Sequence, residues 1–261
     1  MKTLLFCLFL MIPLHASALH HPKALRAVIA VDTQAPRIQG SIAADLDHIE
    51  KSLYVIAQHL HLTPQIQVIK DQNCTVDSIK SAVLALKDYD NDILFFVYSG
   101  HGNMDPYKSS WPVMYPTGGG DFKSGLRASS IVKFFEKNEH RLTILLFDCC
   151  NKFISDGPYE SVPRSSVSAL TAKEHLPGLK KLFLRSKGLI VGSGASHGES
   201  SECANWGPEV GGVFLNGFLV SLKEKCGDKE VSWDSILRAI EKYCPQHSRR
   251  KSQHPILRYE R

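Results

Sequence analysis

Two short apolar runs, Ile93-Leu94-Phe95-Phe96-Val97-Tyr98 and Leu142-Thr143-Ile144-Leu145-Leu146-Phe147, constrain this chain more than any other feature. Each is rich in β-branched or aromatic residues and does not alternate with polar ones, the pattern of a strand covered on both faces. Such strands belong to a parallel sheet, whose crossover connections lay helices over it. The first run closes at Ser99-Gly100-His101-Gly102 and the second at Asp148-Cys149-Cys150-Asn151. A histidine and a cysteine therefore fall just past the carboxyl ends of two strands, the edge at which open α/β sheets build their sites.

If the two strands are neighbours, their axes lie about 4.8 Å apart and side chains leaving their ends can converge on one carbonyl. A thiol is only a few per cent ionised near neutral pH and needs a base beside it to become a useful nucleophile. Cys150 with His101 is thus a candidate dyad. Gly100 and Gly102 allow a sharp turn and bring backbone N–H groups close to a developing oxyanion, as acyl transfer requires.

Tyr98-Ser99-Gly100-His101-Gly102 followed by Asp148-Cys149-Cys150 resembles the caspase, metacaspase and paracaspase superfamily of cysteine peptidases. Its pattern is a strand ending in S-G-H-G and a later one ending in D-x-C or Q-A-C. The separation of 49 positions between His101 and Cys150 matches the roughly 50 of that family. The resemblance implies that Cys150 is the nucleophile, His101 the base, and the N–H groups of Gly102 and Cys150 the oxyanion hole. It also implies protein or peptide substrates and no cofactor; whether calcium is required is not readable from the sequence. The chain departs from the pattern after the nucleophile, with Asn151-Lys152-Phe153 where relatives carry H-S-G or R-G.

Two acids follow from the same resemblance. Gly40 and Asp45 match a G-x-x-x-x-D start whose acid contributes to the S1 pocket, although an acid early in a helix is also favoured by the helix dipole. Asp148, two before the nucleophile, would lie at the base of S1 and select Arg or Lys; as a plain residue it could equally cap a loop. Arg37 lies near where caspases hold an arginine that binds Asp, one residue out of their spacing.

The remaining segments complete an α/β alternation. Residues 25–31 read as a strand, and Leu46, Ile49, Leu53, Ile56 and Leu60 as one face of a helix beginning at Gly40-Ser41. Residues 65–69 make a strand, residues 76–86 a helix, and residues 105–125 a hairpin region. Ile131, Phe134 and Phe135 mark a crossover helix. Residues 151–185 read as a long polar loop. A strand over 187–193 opens into the segment 194–212, with His197, Glu199, Glu202 and Trp206; helices over 213–222 and 233–243 lead to Gln253-His254-Pro255 and a last strand. His197 is a rival base, disfavoured because the family's histidine precedes its cysteine. The expected fold is a single caspase-like α/β domain, a mostly parallel six-stranded sheet with helices on both faces.

Lys2, an apolar stretch over residues 4–14 and Ala16-Ser17-Ala18 form a secretory signal peptide over 1–18, too short to span a membrane. Residues 19–261 would then be an exported peptidase domain, periplasmic or secreted, without stable membrane insertion. The net charge of +5 is scattered and does not argue for nucleic acid. Six cysteines lie beyond residue 18 in spacings that match no zinc site; Cys226 with Cys244 or Cys74 with Cys203 are the pairings considered. Cys149, pointing away from Cys150, reads as a small buried hydrophobe. The function expected is a cysteine endopeptidase cleaving after Arg or Lys; the alternative is an inactive peptide-binding or regulatory relative. A serine hydrolase would need a G-x-S-x-G elbow, which Gly192-Ser193-Gly194 does not supply.

Overall fold

The computed structural model describes residues 21–107, 109–116, 125–138, 140–153, 176–204, 211–248 and 251–261. Residues 1–18, expected to be a signal peptide, and Trp206 lie outside the described residues. In chain order the elements are β1 (Ala24–Val31), α1 (Gln39–Leu60), β2 (Thr63–Lys70), α2 (Val76–Ala85), β3 (Ile93–Ser99), β4 (His101–Asn103), β5 (Val113–Tyr115), β6 (Leu126–Arg127) and α3 (Ala128–Lys137). There follow β7 (Leu142–Asp148), α4 (Leu176–Leu179), β8 (Gly188–Ser193), β9 (Cys203–Ala204), β10 (Gly211–Gly212), α5 (Val213–Lys225), α6 (Trp233–His247) and β11 (Ile256–Glu260).

The central sheet has the order β11-β8-β7-β3-β1-β2 and is parallel except for β11, which runs antiparallel to β8. Its mostly parallel, six-stranded form is the one expected. Every residue of β3 and β7 is buried, which is why two uninterrupted apolar runs take the middle of the sheet. Pro64, Gln65 and Gln67 put β2 at an edge, where a missing N–H and a mostly exposed strand are tolerated. Alternate residues of each central strand serve opposite faces. Phe95, Val97, Ile144 and Leu146 meet α1, α5 and α6 in one core. Phe96, Tyr98, Leu145 and Phe147 meet α2 and α3 in the other.

Two expectations are corrected. The polar loop does not extend to Arg185: α4 and the helical turns Lys180–Arg185 occupy its end, and Leu179, Leu182 and Phe183 enter the first core. Phe183 lies edge-on to Trp233, 5.2 Å between ring centres, and the Trp233 indole donates to the Leu182 carbonyl at 2.9 Å. Lys180, Lys181 and Arg185 hid these anchors, since a one-turn apolar stripe has little periodicity of its own. Neither disulfide forms; the six cysteines among the described residues are free thiols, five of them buried. Among the described residues no helix is long and apolar enough to cross a membrane.

The hairpin region between the first site motif and α3 is an antiparallel sheet of β4, β5 and β6. His101 itself opens β4, paired with Tyr115. On α1 the buried face includes Ile42, Ile49, Leu53 and Ile56, but also Ser41 and Asp45. A carboxylate on the apolar side of a helix is a local conflict, and such conflicts concentrate at functional sites.

Candidate active site

The ends of β3 and β7 bring the two motifs together. Ser99 pairs with Asp148 in the strand register, and the Gly100 N–H donates to the Asp148 carbonyl at 3.3 Å. Beyond that point the chains abut. A Cβ on Gly102 would lie 2.6 Å from Cys149 Sγ and from the Cys150 carbonyl oxygen, so only glycine lets β4 rest on the cysteine turn. Cys149 is 1% exposed and belongs to the second core, a small hydrophobe whose thiol burial pushes far up. Cys150 sits beside it, 6% exposed, with Sγ 3.6 Å from the Ser201 carbonyl.

His101 is oriented from the turn after β1. Asp32, fully buried, donates its N–H to the Ser99 carbonyl at 3.0 Å and accepts at its own carbonyl from Ala35 at 2.8 Å. That turn carries the Pro36 carbonyl to 3.2 Å from His101 Nε2. A carbonyl can only accept, so the ring proton belongs on Nε2, and Nδ1 keeps the lone pair a base needs. Burial lowers the His101 pKa; the Pro36 carbonyl and the Asp32 charge oppose this, and the Arg37 charge reinforces it. Arg37 is exposed in the same turn with a φ of 70°. Burial raises the Cys150 pKa, opposed by the Ser201 backbone, the Lys152 charge and the Ser200 hydroxyl, with the Asp148 charge adding to the rise. Both shifts favour a neutral thiol and a neutral imidazole.

Asp45 and Asp148 are both buried at the start of α5, against Gly211 and Gly212. They are 2% and 5% exposed, which settles that neither acts as a solvated surface group. Asp45 accepts from the Ser99 hydroxyl at 2.6 Å and from the Gly212 N–H at 2.7 Å. Asp148 accepts from the Ser201 hydroxyl and from the Leu215 N–H at 3.0 Å. Gly212 and Leu215 form the start of α5, so the positive end of that helix faces both acids. Burial first, then the Asp148 charge, pushes Asp45 up to about 8, against its two hydrogen bonds. Burial pushes Asp148 up to about 6, also against its hydrogen bonds. Near neutral pH Asp45 therefore keeps a proton, disfavoured from ionising by burial and by the Asp148 charge. Gly212 is confined here by Asp148, whose Oδ2 occupies the space a Cβ would need. α1 has no acid in its first turn, so the helix dipole does not account for Asp45, and Asp148 accepts from the start of a helix 65 residues further on rather than from its own loop.

Asn151 shows what the departure from the family pattern after Cys150 does structurally. Wholly buried, it donates its N–H to the Glu199 carbonyl at 3.0 Å and its amide to the Ser110 and Ala195 carbonyls at 2.8 and 3.3 Å. Its carbonyl accepts from Gly198 at 2.7 Å. The cysteine turn is thereby fastened to two loops at once. His197 lies exposed on one of them. Sequence reasoning missed Asp32, Pro36 and Ser201, whose contacts arise only from folding. Gln253 was visible in Gln253-His254-Pro255, but without a role. Among the described residues no group of three or more His, Cys, Asp or Glu side chains could hold a metal ion.

A mostly parallel six-stranded sheet with a histidine and a cysteine at its carboxyl edge is the fold of a caspase-like α/β protein. The chain belongs to the caspase domain family, peptidase C14, whose pattern matches residues 34–260. A comparison with curated proteins returned no match. Among solved structures it is similar to protein GSU0716 from Geobacter sulfurreducens, with a TM-score of 0.55 at 16% identity over 91% of this chain and 93% of that one. It is also similar to caspase-1 from Spodoptera frugiperda, with a TM-score of 0.54 at 10% identity over 91% and 86%. At these identities the likeness concerns the fold.

Proposed function

We propose that this chain is an exported cysteine endopeptidase that cleaves after Arg or Lys. The observation that carries the specificity is the pair Asp45 and Asp148, buried with no lysine, arginine or histidine in ion-pair contact among the described residues. A buried charge needs a partner, and a guanidinium or ammonium from a P1 side chain would supply it and displace the Asp45 proton. Export rests on the signal-peptide pattern over 1–18.

In this reading His101 Nδ1 takes the Cys150 proton and the thiolate attacks the scissile carbonyl carbon. The oxyanion faces the N–H groups of Gly102 and Cys150, and His101 returns the proton to the departing amine. Water, deprotonated by His101, then hydrolyses the thioester and frees the thiol. No cofactor enters these steps. The test is a fluorogenic panel with Arg, Lys and Asp at P1, with and without calcium and reductant, run beside Cys150→Ala. Cleavage after Arg or Lys by the wild type alone supports the reading. Cleavage after Asp alone would overturn the specificity, and binding without turnover would favour an inactive, peptide-binding relative.

A further inference from the structure

We propose that Gln253 is a positioning residue which, through Ser201, sets the geometry of both the specificity acid Asp148 and the Cys150 sulfur; this rests on the peptidase reading above. Gln253 is wholly buried in the lead-in to β11. Its Oε1 accepts from the Glu202 N–H at 2.8 Å, and its Nε2 donates to the Gly194 carbonyl at 2.8 Å and to Ser201 Oγ at 3.2 Å. The Glu202 N–H can only donate and the Gly194 carbonyl only accept, so the amide has a single orientation. Its N–H is held in turn by Ser248 Oγ at 3.2 Å.

The consequence falls on Ser201. An NH2 group cannot accept, so the one hydroxyl proton of Ser201 is committed to Asp148 Oδ1. The backbone of the same residue turns its carbonyl to Cys150 Sγ. Gln253 touches neither reacting group, yet a single residue between them reports to both. Such outer partners of a charged group govern its orientation and strength.

The test uses Gln253→Glu, which keeps the acceptor for Glu202 and removes both donors, with Gln253→Met as a second variant should the acid impair folding. Each is made in the wild type and in Ser201→Ala, and assayed on matched peptides with Arg or neutral citrulline at P1. Loss of an oriented buried hydrogen bond predicts a fall of roughly tenfold in kcat/KM for Arg, carried mainly by KM and smaller for citrulline. In the Ser201→Ala background the same change should cost less than about twofold, as expected for residues acting in series. Fully additive losses, or equal losses on both peptides with only a lower melting temperature, would overturn the proposal. Alkylation of Cys150 by iodoacetamide gives a readout independent of cleavage. If the wild type cleaves nothing, the peptidase reading fails, while a Gln253-dependent alkylation rate that vanishes in Ser201→Ala still upholds the positioning role.

Discussion

The two ends of the β3–β7 pair treat buried acids in opposite ways. At the amino end Asp92 receives Arg26 Nε at 2.7 Å together with the N–H groups of Ala24 at 3.0 Å and Lys23 at 3.2 Å. The Arg26 guanidinium lies 3.4 Å over the Tyr89 ring, so that ion pair is itself packed in place. At the carboxyl end the two acids have only neutral donors: Asp148 accepts from the Ser201 hydroxyl and the Leu215 N–H, and Asp45 from the Ser99 hydroxyl and the Gly212 N–H. An acid that fastens a fold comes with its cation. Buried acids with no cation beside them have their pKa raised instead and hold a proton, as Asp45 does.

The comparison breaks most sharply at the nucleophile. Cys150→Ala should lower kcat by on the order of 10⁴-fold or more, measured on the best Arg peptide, while leaving the melting temperature near that of the wild type. Asp148→Asn should reduce kcat/KM for Arg by roughly 10²- to 10³-fold and for a neutral P1 far less, because a site built around a charge rejects what does not pair with it. Its stability should hold or rise, since one of two crowded carboxyls is gone. Asp92→Asn should do the reverse, costing about 2–3 kcal/mol in urea unfolding through the stranded Arg26, with activity per folded molecule unchanged.

The smallest effect concerns pH. The folded pKa of Asp45, about 8, lies above that of an unfolded aspartate, so the native state binds the extra proton between about pH 4 and 8. Stability from this group is complete below the unfolded value and is lost as pH rises through the folded one; Asp148 adds the same sign up to about 6. The melting temperature should fall by a few degrees from pH 5 to pH 8, a slope that Asp45→Asn flattens. An unchanged slope in that variant would remove the Asp45 proton from the account.

Legibility followed physical reach. The strands that carry His101 and Cys150 could be read because period and composition act over neighbouring residues, and Cys149 was read as core for the same reason. Asp45 and Asp148 were placed in one S1 pocket only by resemblance; local pattern could not link them, since 103 positions separate them and only the packing of α1 and α5 on the sheet sets their partners. The buried Leu179, Leu182 and Phe183 escaped because flanking lysines and arginine resemble a solvated loop until Trp233 closes over them.

What the sequence determined alone is the β/α alternation, the strand ends and the residue types placed there, all consequences of local sterics and hydrophobic spacing. Tertiary structure decided which carbonyl accepts the His101 N–H, which hydroxyl serves Asp148, and that both buried acids take their partners at the start of α5. Those are matters of distance between parts remote in the chain, where burial lowers the effective dielectric and makes each neighbour count.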